Sequence, residues 1–203
     1  MARTAGSTGE KTSQAVEKAA LELFARHGYA AVSMRQIASE VGVQPGALYN
    51  HFPAKQDLLL AVMRNHMHRL LEAWELESRR FSSARAAFEG FVRFHLRYHL
   101  DKPDAVFVSY MELRSLEPQN FREIEGMRRY YEGFLRKIIS RGVDDGIFEA
   151  VDVPVAAMAI ISMLTGVTTW YKAGGRLDAR DVENIYLDMA LRSVGVATEL
   201  QAA

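Results

Sequence analysis

From Ser13 to Leu191 apolar residues recur three and four positions apart, and no segment alternates with a period of two. That spacing predicts helices throughout and no strand. A first helix is expected from a Thr12 or Ser13 cap, with Val16, Ala19, Ala20, Leu23 and Phe24 as its apolar stripe and Gly28 as its end. Ser33 and Gln36 make the S-x-x-Q pattern of a capping box. Met34, Ile37, Ala38 and Val41 then give a short second helix one buried face, and Gly42 stands where the helix end needs positive φ. Pro45 suits the first turn of a third short helix, which carries Leu48, Tyr49 and Phe52 before Pro53 stops it. Next comes a rod from about Ala54 to Arg79, roughly 37 Å long. Five more helices follow: Ser83 to Leu100, one from Pro103, one from Pro118 until Gly142 and Gly146 break it, one from Pro154 to Gly174-Gly175, and one from an Asp178 cap to Gly195. The expected fold is all-α, with about nine helices. The first three are too short to stand alone and must share one small core.

Two short helices joined at Gly42-Val43 form a helix-turn-helix. The end of the third helix carries Gln44, Pro45, Gly46 and Ala47, small or uncharged residues that let a helix approach base edges. Gln44 suits adenine and Ala47 a thymine methyl. Tyr49, His51 and Lys55, together with Ser33 and Arg35 at the start of the second helix, have donors for phosphates, which position a protein without reading sequence. An ordinary helical corner is the alternative reading of the turn alone. Arg3 is a candidate minor-groove arm, against the simpler reading of a loose tail.

The eighth predicted helix, Val153 to Tyr171, holds no charge and is apolar all round. Such a helix is buried on every side or lies in a membrane. Ser162, Thr165, Thr168 and Thr169 dilute it and no basic cluster flanks it, which favours burial. A second copy of the chain would cover the far face, because one self-complementary patch serves both subunits.

Composition adds bounds. The 203 residues are 49% apolar and 25% charged, the mixture of a globular protein with a proper core. There is no cysteine, hence no disulfide framework and no thiolate metal site. Residues 1–12 carry no signal-peptide pattern, so a cytoplasmic location is expected. Net charge is zero. Residues 1–60 are nearly balanced: Arg3, Lys11, Lys18, Arg26, Arg35 and Lys55 stand against Glu10, Glu17, Glu22, Glu40 and Asp57. Affinity for DNA must then come from a few placed donors and helix ends, not from a broad field. His95 and His99 share a helix face, but no acidic residue completes an H-E-x-x-H pattern; they are expected as core or pocket histidines, with no metal. Glu112 and Arg114 are expected on a solvated face, with a pocket contact as the alternative. No nucleophile elbow, P-loop or dinucleotide fingerprint is present, so no catalytic residue and no cofactor are expected.

Residues 13–61 resemble the N-terminal domain of TetR-family transcriptional regulators. The resemblance lies in a first helix ending F-x-x-x-G-Y, then V-x-x-G-x-L-Y-x-H-F, then K-x-x-L-L. It implies a DNA-binding domain over 1–55, with 1–11 as a disordered arm, and a ligand-binding and dimerisation bundle over 56–203. It also implies a repressor that binds a palindromic operator as a homodimer through its eighth and ninth helices and is released by a small hydrophobic effector. An α-helical enzyme or lipid carrier with an incidental corner is the competing class. Residues 112–195 resemble the ligand domains that answer acyl-coenzyme A thioesters of fatty-acid and steroid breakdown, through E-L-R-S-L, R-R-Y-Y-x-x-F, G-x-x-D-G-I-F and W-Y-x-x-G-G-x-L. The residues themselves would suit an elongated apolar tunnel lined by Phe107, Tyr110, Met111, Tyr131, Phe134, Met163 and Trp170, with Arg128 or Arg176 at its mouth; plain core packing is the alternative for each aromatic.

Overall fold

The computed structural model describes residues 5–149 and 152–196, with side chains from Gly9 onward. Among the described residues there are nine α-helices and no strand. They are α1 (Ala5–His27), α2 (Met34–Val41), α3 (Pro45–Tyr49), α4 (Lys55–Ser78), α5 (Ala84–Leu100), α6 (Pro103–Met111), α7 (Pro118–Asp144), α8 (Val153–Gly166) and α9 (Ala179–Ser193). Single 3-10 turns follow α6 (Leu113–Ser115) and α8 (Val167–Thr169). The chain divides into two compact units. One runs through His68 and takes in Asp104–Glu125; the other holds Arg69–Pro103 and the chain from Gly126 onward.

In the first unit α2 packs on both α1 and α3. Val16, Ala20, Phe24, Ile37, Ala38, Leu48, Leu58 and Met63 close its core with no exposure. None of these helices has enough apolar surface to be stable alone, so they stand only as a set. α1 begins seven residues before the expected Thr12 cap, so residues 5–11 are helical and not a disordered arm. Ser and Thr cost a helix interior only about 0.5 kcal/mol each, too little for a local cap to end it. The extension also has a neighbour: a Cβ built on Gly9 would stand 3.8 Å from His51 Cε1. Arg3 lies outside the described residues.

In the second unit α5 is the central helix and packs on α8 and α9. Trp74 is buried against Phe91, edge to face at 4.9 Å, and Phe94 at 5.3 Å. Arg97 of α5 forks onto the buried Glu183 of α9, Nε to Oε1 at 2.9 Å and Nη2 to Oε2 at 2.9 Å. Planar bidentate pairs of this kind fix register as well as distance. His95 and His99 are buried, with rings stacked 3.8 Å apart. His95 bonds the Tyr131 hydroxyl at 3.2 Å and the Thr165 hydroxyl at 3.0 Å. His99 Nδ1 stands 2.8 Å from the His95 carbonyl, which can only accept, so that nitrogen carries the proton.

Two expected ends move. Gly142 does not break α7; the helix continues to Asp144. The glycine is needed because a Cβ there would stand 2.0 Å from the Phe148 ring. α8 stops at Gly166, five residues before the expected Tyr171. The Thr168 and Thr169 hydroxyls bond back to the carbonyls of Thr165 and Gly166, at 2.9 and 2.8 Å, across the tightened 3-10 turn.

Candidate nucleic-acid interface

The reading head is built by local bonds. The Gln36 N–H donates to Ser33 Oγ at 3.3 Å, and the Ser33 N–H donates to Gln36 Oε1 at 2.7 Å, completing the expected capping box. Gly42 takes φ +73°, and the Val43 N–H closes onto the Ala38 carbonyl at 3.0 Å. An L-residue at that φ costs roughly 1–2 kcal/mol, which is why the turn carries glycine. Pro45 opens α3 as its first residue. α3 ends at Tyr49, short of the expected Phe52; Leu48 within it and Phe52 just beyond it are buried, and α3 packs on α2.

What α3 leaves outside is the candidate site. Gln44 is exposed, and its amide makes no capping bond, so both its donor and its acceptor are available for a base edge. Gly46 is exposed with no atom within 4 Å of a Cβ position, and Pro45 and Ala47 are half-buried beside it. Tyr49, 47% exposed, stands with His51 at the other end of the short helix. Arg35 is exposed on α2. Ser33 has already used its hydroxyl in the cap, so the group it would offer a phosphate is the helix end.

Lys55 is placed differently from a free phosphate donor. It is half-buried, donates to the Tyr29 carbonyl and lies 4.1 Å over the Tyr29 ring. Burial holds its pKa below the ordinary lysine value, opposed by the nearby Glu112 charge. An ammonium has three donors, so two remain for a phosphate. Burial pushes the Tyr29 phenol up; a hydrogen bond from Gln56 opposes this, while Glu117 and Glu112 add to it.

Glu112 is neither a solvated charge nor a pocket group. It accepts from the Tyr29 N–H at 2.9 Å and from the Ser115 hydroxyl at 2.7 Å. Its partner in sequence, Arg114, is exposed. Pattern reading noticed Glu112 but missed Tyr29 and Gln56 as its neighbours in this network. The charged pair Glu112 and Arg114 after an apolar run was the signal, but nothing local points 83 positions back along the chain.

The residues expected to line a tunnel fall into both units. In the first unit Phe107 and Met111 are exposed and Tyr110 is half-buried. In the second, Tyr131 is buried on His95 and on Phe91, at 5.2 Å between rings. Phe134 lies edge to face with Tyr130 at 5.1 Å, and Met163 and Arg128 are half-buried. Trp170 is exposed and stacks on Tyr186 at 6.2 Å, and Arg176 is exposed. No helix among the described residues is long and apolar enough to cross a membrane.

Residues 18–62, the segment that holds this head, match the family model of bacterial regulatory proteins of the tetR family. Residues 82–194 match the C-terminal domain of tetracyclin repressor-like proteins. The chain belongs to the TetR family. It is a DNA-binding transcriptional regulator, and regulators of this family bind operator DNA as dimers. A tetR-family regulatory protein of Rhodococcus RHA1 has a crystal structure 32% identical in sequence, with a TM-score of 0.88 over 93% of this chain and 99% of that one. The fatty acid metabolism regulator protein of Bacillus subtilis is 25% identical over 87% of this chain and 92% of its own. The crystal structure of AibR in complex with isovaleryl coenzyme A and operator DNA shares the fold, with a TM-score of 0.82 at 22% identity over 88% of this chain and 97% of that one. These relatives are regulators and not enzymes, which decides against an incidental helical corner on an enzyme.

Proposed function

We propose that this TetR-family regulator is a cytoplasmic repressor that binds a two-fold operator as a homodimer through α8 and α9 and leaves it when an acyl-coenzyme A thioester binds. The observation that carries the DNA part is the exposed, uncapped Gln44 beside Gly46 and Ala47 at the start of α3. Gln44 and Ala47 read bases; Arg35, Tyr49, His51, Lys55 and the N-terminus of α2 at Ser33 hold phosphates. Exposed Val155 and Met158 on α8, with Ile185 and Met189 on α9, support the dimer face. Two heads on a two-fold axis would meet successive turns of the major groove.

The acyl-thioester reading is supported by the motifs of residues 112–195 and by the names of two relatives, a fatty acid metabolism regulator and an isovaleryl-coenzyme A complex. Within the second unit Tyr131, Phe134, Met163 and Trp170 are the lining residues under this reading, and Arg128 or Arg176 meets a coenzyme phosphate. Control would be a population shift: the effector favours a form whose heads no longer fit both half-sites, and its differential affinity sets the extent of release. The operator complex is titrated separately with long-chain acyl-coenzyme A, a steroid-derived thioester, free fatty acid and free coenzyme A. Release by a thioester but by neither half supports the reading. Release by free fatty acid alone, or by nothing in the set, overturns it.

A further inference from the structure

Tyr29 lies in the loop that leads from α1 to the Ser33 cap of α2, and every polar atom it owns is held. Its N–H donates to Glu112 Oε1 at 2.9 Å. Its carbonyl accepts from the Lys55 ammonium. Its hydroxyl accepts from Gln56 Nε2 at 2.9 Å. The ring is covered by Lys55 and meets Phe24 edge to face at 5.3 Å. Gln56 continues the chain of bonds, donating to the Ser115 carbonyl at 2.7 Å and accepting from the Glu117 N–H at 3.0 Å. Glu112 takes the Ser115 hydroxyl on its other oxygen, at 2.7 Å. The segment 112–117 is therefore bonded both to the loop entering α2 and to the first turn of α4. None of these bonds uses Gln44, Gly46 or Tyr49, the outward groups of α3.

Lysine at the first position of a helix opposes the helix dipole, and a carboxylate beside a DNA-binding head repels phosphate. The first is an electrostatic cost to α4, and the second a cost to the surface that must meet DNA. Each is explained if the pair holds the head in shape. We propose that Glu112 is a positioning residue for operator binding: through the Tyr29 N–H it fixes the loop that aims α2 and α3, with Gln56 bracing the same loop through the Tyr29 hydroxyl.

This sets geometry against charge, and the two predict opposite signs. Glu112→Leu removes a negative charge from the head, which by Coulomb's law alone would tighten DNA binding. Positioning predicts instead that operator Kd rises by about tenfold, the order for losing one charge-assisted hydrogen bond. Glu112→Gln removes the same charge but keeps an oxygen that accepts from Tyr29, so its Kd stays within about threefold of the parent. Base preference and the slope of log Kd against log salt stay unchanged in both. Binding is measured on the full chain at a temperature where circular dichroism finds each variant folded. Equal or tighter binding by Glu112→Leu overturns the proposal. So does an equal loss in the leucine and glutamine variants, or a changed salt slope, which would make Glu112 a direct electrostatic neighbour of DNA. Should Glu112→Leu fail to fold, Tyr29→Phe and Gln56→Leu carry the test. Each then weakens operator binding, and the double variant is no worse than Gln56→Leu alone, which already removes the Tyr29 bond; additive losses, or none, refute the brace.

Discussion

Met158 of α8 is 48% exposed in the isolated chain, on a helix with no charged residue from end to end. If α8 and α9 form the dimer face, that exposure disappears on association. Burying a whole methionine side chain is worth about 1.5–3 kcal/mol, so the half exposed here is worth about 1 kcal/mol. An isologous interface counts it twice, for a total of about 2 kcal/mol per dimer and roughly a thirtyfold change in dimer Kd on Met158→Ala. Met158→Glu adds to this an unpaired carboxylate in each half, at about 3–5 kcal/mol apiece. Because the site is exposed within one chain, the variant should keep its helical circular dichroism and its melting temperature as a monomer. Sedimentation velocity over a dilution series reads the association constant, and operator retention is measured on the same samples. A single-headed monomer loses the second half-site, so the two signals should fall together. A Met158→Glu protein that remains dimeric at micromolar concentration would show that the face lies elsewhere. A monomeric one that still held its operator as tightly as the parent would refute the two-headed reading.

Gln44→Ala should cost about 1–3 kcal/mol at the one base pair it contacts and leave the salt slope alone; binding to a panel of single-substituted operators reads both. Gly126 sits within α7, exposed, with nothing within 4 Å of a Cβ position, so Gly126→Ala should raise stability by about 1 kcal/mol in urea unfolding. Tyr98 is pushed up to about 12, chiefly by burial. Its neutral form is therefore favoured in the folded chain: the contribution is complete below pH 10 and is lost as pH rises from there through about 12. Tyr98→Phe should flatten that part of the alkaline stability curve, and an unchanged slope would refute the assignment.

Local chemistry determined the helices. A cap needs a side chain and a backbone N–H three residues apart, so Ser33 with Gln36, and Asp178 with Asp181, are bonds within one turn. Gly42 and Pro45 act through their own φ, which needs no partner. The outward face of α3 was legible for the same reason: its residues are few, contiguous and anchored by Leu48 and Phe52. Other features needed the fold. The start of α1 was misjudged because Ser and Thr fit both a cap and a helix interior, and a neighbour such as His51 is visible only in space. Gly142 looked like a stop when it is clearance for Phe148. Tyr131 reads as a lining residue as much as a core one, because periodicity cannot tell a cavity wall from a packed interior; that it bonds His95 of another helix is visible only in the fold. Glu112 is the plainest case. The sequence determined that a charge stands at the end of an apolar helix. Which N–H it reaches depended on bringing together residues 83 apart, and a hydrogen bond across that distance leaves no periodic trace along the chain.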